Sequence, residues 1–108
     1  MKLYVGGAFQ GQEELARQEN PGAEIVPDFQ EEIRRVMEAG EDVQAFVSAF
    51  LDAHPGAVIV ANELGSGIVP MEKGDRLFRE AAGRTLCRVA QRAETVVRVV
   101  CGIGVKIK

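Results

Sequence analysis

Apolar residues along this chain fall into two kinds of pattern. Leu3 to Val5, Ala57 to Ala61 and Thr95 to Val100 are short, nearly continuous apolar runs rich in β-branched residues, as expected of strands covered on both faces. Between them apolar positions return every three or four residues. Ile33, Val36 and Met37 share one helical face, and Val43, Phe46, Val47, Phe50 and Leu51 mark a clearer one that begins at Asp42 and ends near His54-Pro55-Gly56. Leu77, Phe78, Ala81, Ala82, Leu86, Val89 and Ala90 mark a third helix over 75–93. The first strand, Lys2 to Val5, leads through glycines into a helix over Gln12 to Gln18, which the Asn20-Pro21-Gly22 turn stops.

Smaller signals complete the layout. Ala23 to Val26 reads as a short strand, Asp28 with Glu31 three residues on reads as a capping box, and Gly40 interrupts the helix that follows. The tail GIGVKIK offers one more short strand. Strands alternating with helices of this length imply βα units, hence an α/β fold with a mainly parallel sheet of about four to five strands flanked by helices.

Composition narrows the function classes. A chain of 108 residues is expected to form one domain over 1–108, and its 46% apolar and 27% charged residues describe an ordinary globular protein. The net charge of −3, with both signs mixed along the chain, offers no basic stripe for a nucleic-acid backbone. No apolar run approaches the ~20 residues of a membrane span, and the N-terminus enters a strand at once, so a cytoplasmic protein is expected. Cys87 and Cys101 have no metal-ligand or disulfide spacing and are expected to be reduced and buried. His54 is expected to end a helix or meet solvent, without a catalytic role, and no metal site is predicted.

The chemistry begins at VGGAFQGQEELARQ, Val5 to Gln18. Gly6 and Gly11 have the GxxxxG spacing of a phosphate-binding loop, set between a strand and a helix as in P-loop NTPases. That motif continues with Lys and then Ser or Thr, to neutralise phosphate and hold Mg²⁺; Gln12 and Glu13 stand there instead. Gln12 brings no charge. A carboxylate ~4 Å from a phosphate oxygen repels it by about 4 kcal/mol at an effective dielectric near 20. Two destinations stay open for Glu13: its carboxylate fills the space a phosphate would take at the positive end of the helix, or it is an ordinary solvated first-turn residue.

The C-terminal half carries NELGSGIVP (Asn62 to Pro70), DRLFREAAGR (Asp75 to Arg84) and VVCGIGVKIK (Val99 to Lys108). In this order they resemble the bifunctional adenosylcobinamide kinase and adenosylcobinamide-phosphate guanylyltransferase family of cobalamin biosynthesis. There a strand runs into NExGxGIVP, a helix carries FRxxAGR, and the chain closes on VVxGIGVKIK. The loop GGAFQGQE, Gly6 to Glu13, matches the family's GGARSGKS at Gly6, Gly7, Ala8 and Gly11 and departs from it at Phe9, Gln10, Gln12 and Glu13. The middle of the chain is abridged relative to the family, and His54 does not lie in the context of the histidine that carries the guanylyl group.

The resemblance implies a P-loop-NTPase-like fold, GTP or ATP with Mg²⁺ as cofactors, a nucleotide or corrinoid ligand, and a homo-oligomer. The departures put the catalytic part in doubt. Gly6, Gly7, Gly11, Gln12 and Glu13 form a vestigial phosphate loop. Asn62, Glu63, Gly65, Arg84 and Lys106 are the candidate pocket, with Glu63 the candidate catalytic residue at the carboxyl end of a strand, the edge where open α/β sheets bind ligands. The plainer alternative gives Asn62 turn hydrogen bonds, Gly65 and Gly67 positive φ, and Glu63 to solvent. Arg84 could pair with a phosphate or with an acid on a neighbouring helix. Three functions remain open: an inactive relative that binds a nucleotide, corrinoid or partner; an active transferase with a reorganised site; and a structural or regulatory oligomer subunit.

Overall fold

The computed structural model describes residues 1–63 and 73–108. In chain order the elements are β1 (Lys2–Gly6), α1 (Gln12–Glu19), β2 (Ile25–Val26), α2 (Phe29–Glu38), α3 (Val43–Ala53), β3 (Val58–Asn62), α4 (Lys73–Arg92), β4 (Thr95–Val100) and β5 (Ile103–Lys106). The sheet order is β2-β3-β1-β4-β5. β1 pairs parallel to both β3 and β4, and β2 pairs parallel to β3, while β5 folds back antiparallel on β4. The α/β sheet expected from the alternating pattern is therefore present, with five strands. Its last strand is antiparallel because only Cys101 and Gly102 separate it from β4, a connection too short for a parallel crossover. Both turn residues have positive φ, 51° and 75°, as a two-residue hairpin requires.

Strand alternation splits the core into two layers. Leu3, Val5, Ile59, Ala61 and Val96 face one way and pack with Phe29 and Ile33 of α2, Val47 and Leu51 of α3, and Phe78, Ala82 and Val89 of α4. Tyr4, Val58, Val60, Val97 and Val99 face the other way against Ala16 of α1. Phe29, Ile33 and Val36 are fully buried, each such side chain contributing about 1.5–3 kcal/mol of apolar burial. Phe50 joins the rings of Phe29, at 5.5 Å, and His54, stacked at 4.3 Å. His54 ends α3 as expected, and its Nδ1 lies 3.0 Å from Glu24.

Two expectations are corrected. Asp28 does not cap α2 with its side chain: its φ of 52° is left-handed, whereas a capping side chain needs an extended residue, and only its backbone carbonyl accepts Glu31 N–H. Asp42 is the aspartate that caps, its Oδ1 accepting from Gln44 N and Ala45 N at the start of α3. The two cysteines are exposed, not buried. The buried stripe of α4 runs through Phe78, Ala82, Thr85 and Val89, which turns Cys87 outward, and Cys101 sits in the hairpin turn. Leu77, expected on the apolar side, is also exposed. Among the described residues no helix is long and apolar enough to cross a membrane.

Candidate functional site

The glycine loop lies where β1, β3 and β4 end together, with Gly6 in register with Asn62 on one side and Val99 on the other. A Cβ on Gly6 would stand 2.5 Å from the Val99 carbonyl oxygen, so the backbone of β4 admits only glycine here. Gly11 begins α1 with a φ of 85°, a left-handed turn that glycine adopts without strain. The frame of a phosphate loop is thus intact in its backbone.

The Gln12 side chain turns back onto the loop's carbonyls. Gln12 is only 5% exposed, and its Nε2 lies 3.2 Å from Gly6 O, 3.1 Å from Gly7 O, 3.4 Å from Ala61 O and 2.7 Å from Asn62 Oδ1. An amide nitrogen has two hydrogens to share among these four oxygens, so Asn62 and the two glycine carbonyls compete for them. Asn62 is fixed in turn by Gln30 of α2, whose Oε1 accepts Asn62 N–H at 2.9 Å. Glu63 N–H donates to Gly6 O at 2.7 Å, closing β3 onto the loop.

Glu13 does not enter the loop. Its side chain is 47% exposed and meets Arg17 one turn along, at 3.1 Å, so the solvated first-turn alternative holds and the internal-anion alternative does not. The reason is local: at the first turn an i,i+4 cation is within reach without desolvating the carboxylate. The loop's outer side is stitched to the β4–β5 hairpin by Gln10. Its Oε1 accepts Cys101 N–H at 2.7 Å, and its backbone carbonyl accepts Gly102 N–H at 2.7 Å.

The remaining candidate residues do not converge. Asn62 and Glu63 stand beside the loop, Glu63 exposed. Arg84 is exposed on α4 and pairs with Glu80 of the same helix at 2.8 Å, not with an acid on a neighbouring helix. Lys106, opposite Val97, shares the α1 face of the sheet with Asn62 but lies two residues along β4 from Val99, which stands beside Gly6, while α4 with Arg84 covers the opposite face. Gly65 and the rest of its loop lie outside the described residues. Gln30 escaped the sequence reading, and Gln10 was read only as a departure from the family's loop; nothing in the polar run Gln30-Glu31-Glu32 marked Gln30 as the buried member. Among the described residues no group of His, Cys, Asp and Glu is placed to hold a metal ion.

A parallel β2-β3-β1-β4 order with a glycine loop joining the first strand to the first helix defines an α/β protein of the phosphate-loop class. The family model described as "Cobinamide kinase / cobinamide phosphate guanyltransferase" matches residues 12–107, and the chain belongs to that family. Over 68 residues it is 44% identical to "Bifunctional adenosylcobalamin biosynthesis protein CobU" of Salmonella typhimurium, covering 63% of this chain and 38% of that protein. The protein of the same description from Escherichia coli K12 is 43% identical over 67 residues, covering 62% and 37%. These matches span well under half of the relatives' length.

In this class Lys and Ser or Thr after the last loop glycine serve a Mg²⁺-bound nucleotide. Gln12 and Glu13 do not fit that group: one nitrogen is already engaged by the loop's carbonyls, and one carboxylate is turned to Arg17.

Proposed function

We propose that residues 1–108 form a cobinamide kinase/guanylyltransferase-like domain that no longer transfers a phosphoryl or guanylyl group through its glycine loop, and that it acts in corrinoid metabolism by binding. One observation carries this reading: at the position where the motif has lysine, the buried Gln12 brings no charge and turns its Nε2 onto Gly6 O, Gly7 O and Asn62 Oδ1. A nucleotide phosphate entering the loop would find no lysine ammonium to neutralise it, because the side chain at that position is a neutral amide already bonded to the loop's carbonyls. Each buried polar group left without a partner costs about 1–3 kcal/mol, and the missing lysine and hydroxyl remove the terms that would offset it. The ligand that remains compatible with the family is the corrinoid itself, which does not depend on a triphosphate site.

Calorimetric titration tests this directly. With GTP and with ATP, each with Mg²⁺, no binding is expected, and adenosylcobinamide is expected to give the signal. Micromolar nucleotide binding would overturn the reading in favour of the active alternative. In that alternative Glu63, beside the loop at the carboxyl end of β3, holds Mg²⁺ and the loop meets phosphate through its backbone. The double substitution Gln12→Lys with Glu13→Ser supplies the converse test, since it restores the two missing groups and should create a nucleotide site.

A further inference from the structure

Left-handed backbone outside glycine occurs among the described residues at Phe9, Asp28 and Cys101. Two of these have a local reason. Cys101 opens a two-residue hairpin turn, which requires positive φ, and aspartate is among the few residues that tolerate it. Phe9 has no such reason. A bulky residue at φ 59° is a genuine outlier, and its ring, at 102% exposure the most exposed of the large apolar side chains, packs on nothing that would offset the strain. Strained residues that the surrounding structure holds in place cluster at ligand clamps.

The loop tip is held firmly. Gln10, next to Phe9, accepts Cys101 N–H through Oε1 and Gly102 N–H through its carbonyl, both at 2.7 Å, so the ring is presented on a loop that binding does not have to order. Beside it the surface is bare of side chains. Gly11 and Gly102 are both exposed, a Cβ on Gly11 would stand 3.5 Å from Gly102 Cα, and a Cβ on Gly102 would meet nothing within 4 Å. The charges exclude an anion. Residues 6–14 carry the carboxylates of Glu13 and Glu14 and no cation, and the exposed Glu63 adds a third carboxylate at the same edge. An aromatic ring beside a flat glycine surface, without a cation, suits the face of an uncharged conjugated ring.

We infer that Phe9 is the binding residue on which this chain stacks a flat conjugated ring of its ligand, beside the glycine surface of Gly11 and Gly102. For the identity of the ligand the inference rests on the corrinoid reading proposed above, and deepens it. Adenosylcobinamide offers two such rings, the corrin macrocycle and the adenine of its adenosyl group.

Calorimetry with three probes tests it on the full chain: adenosylcobinamide, hydroxocobinamide, which lacks the adenosyl group, and adenosine, which lacks the corrin. Phe9→Asn removes the ring and keeps the φ, while Phe9→Trp keeps a ring. Phe9→Asn should weaken adenosylcobinamide binding at least ~10-fold, the scale of one aromatic stack, and Phe9→Trp should preserve it. The urea midpoint of Phe9→Asn should not fall, which separates lost binding from lost folding. The chain has no tryptophan of its own, so emission from Phe9→Trp reports the contact directly and should change on saturation. A loss shared by hydroxocobinamide assigns the corrin as the stacked ring, and a loss confined to adenosylcobinamide and adenosine assigns the adenine; either supports the inference. Equal affinity of the parent chain and Phe9→Asn for every probe, or unchanged tryptophan emission, would overturn it while corrinoid binding stands. Adenosine binding that depends on Phe9, without binding of either corrinoid, would sustain the stacking role and overturn the corrinoid reading. A parent chain that binds none of the three would overturn both.

Discussion

Gln12 Nε2 lies 2.7 Å from Asn62 Oδ1, so the first residue of α1 is tied to the last residue of β3 beside the glycine loop. The contact is the shortest of the four that the amide makes. It couples the glycine loop to α2 as well, because the Asn62 backbone is held by Gln30.

That coupling is measurable. Gln12→Ala leaves Asn62 Oδ1 and Gly7 O without the amide donor, while Gly6 O keeps Glu63 N–H, and should cost about 1–3 kcal/mol in urea unfolding. Asn62→Ala should cost less than Gln12→Ala, since Nε2 keeps two glycine carbonyls. The double variant should recover about 0.5–1.5 kcal/mol relative to the sum. Gln12→Lys places an ammonium among the same neutral oxygens at a 5% exposed position with no carboxylate partner and should lower stability, which separates loop filling from the identity of the filling group. Additivity of the two alanine variants would show that the contact contributes nothing.

Tyr4 gives a pH prediction with a defined sign. It is 3% exposed, its hydroxyl donates to Glu19 at 2.8 Å, and it accepts from Asn20 Nδ2 at 3.0 Å. Burial, and then the bond to Glu19, raise its pKa above the ordinary 10.0. A folded-state pKa above the unfolded one stabilises the fold fully below pH 10.0 and is lost as pH rises through the folded value. Stability should therefore fall on the alkaline side, and Tyr4→Phe should flatten that fall while costing about 1 kcal/mol at neutral pH. The chain has one tyrosine and no tryptophan, so phenolate absorbance reports Tyr4 alone. Titration at the ordinary phenol pKa would contradict the burial argument.

Two aspartates before helices separate what a sequence pattern can and cannot say. Asp42→Ala should cost about 1 kcal/mol, because its carboxylate holds two N–H groups of α3. Asp28→Asn should change stability by less than about 0.5 kcal/mol, since no cap bond is lost and asparagine accepts a left-handed φ. Urea unfolding checks both: a cost of Asp28→Asn equal to that of Asp42→Ala would mean that the Asp28 carboxylate has a partner that a neutral amide cannot replace.

The same contrast explains how much of the molecule was legible. Thr95 to Val100 is a strand with the bounds its apolar run suggested, and Val43 to Ala53 is a helix where its periodicity placed one. These signals are local: burial repeats every two or every 3.6 residues, and enough repeats average out exceptions. The family resemblance was legible too, since its motifs are strings of residues. What failed depends on backbone angle or on distant partners. Asp28 and Glu31 have capping-box spacing, yet φ at Asp28 decides the geometry. Gln12 showed that a positive charge was missing, but not that its amide would turn inward to an asparagine fifty residues away. Arg84 and Lys106 looked available for one pocket because a linear sequence does not say which face of the sheet each belongs to.

Phe9 supplies the last prediction. It stands at the tip of the loop with its side chain fully in solvent, at 102% exposure, and with a φ of 59°. A left-handed conformation costs a bulky L-residue roughly 1–2 kcal/mol, and an aromatic ring in water contributes no burial to offset it. The neighbouring bonds hold it there: Gln10 is pinned to Cys101 and Gly102, and Gly11 opens α1. Phe9→Gly removes the strain but adds freedom to the unfolded chain, an opposing effect of about 0.4–1 kcal/mol. The balance is a stabilisation of up to about 1 kcal/mol, read as a higher urea midpoint with unchanged slope. Phe9→Asn, which tolerates this φ, should move the same way by a smaller amount. If both variants instead lower the midpoint, the ring makes contacts that its exposure does not suggest, and the loop tip is held by packing as well as by Gln10.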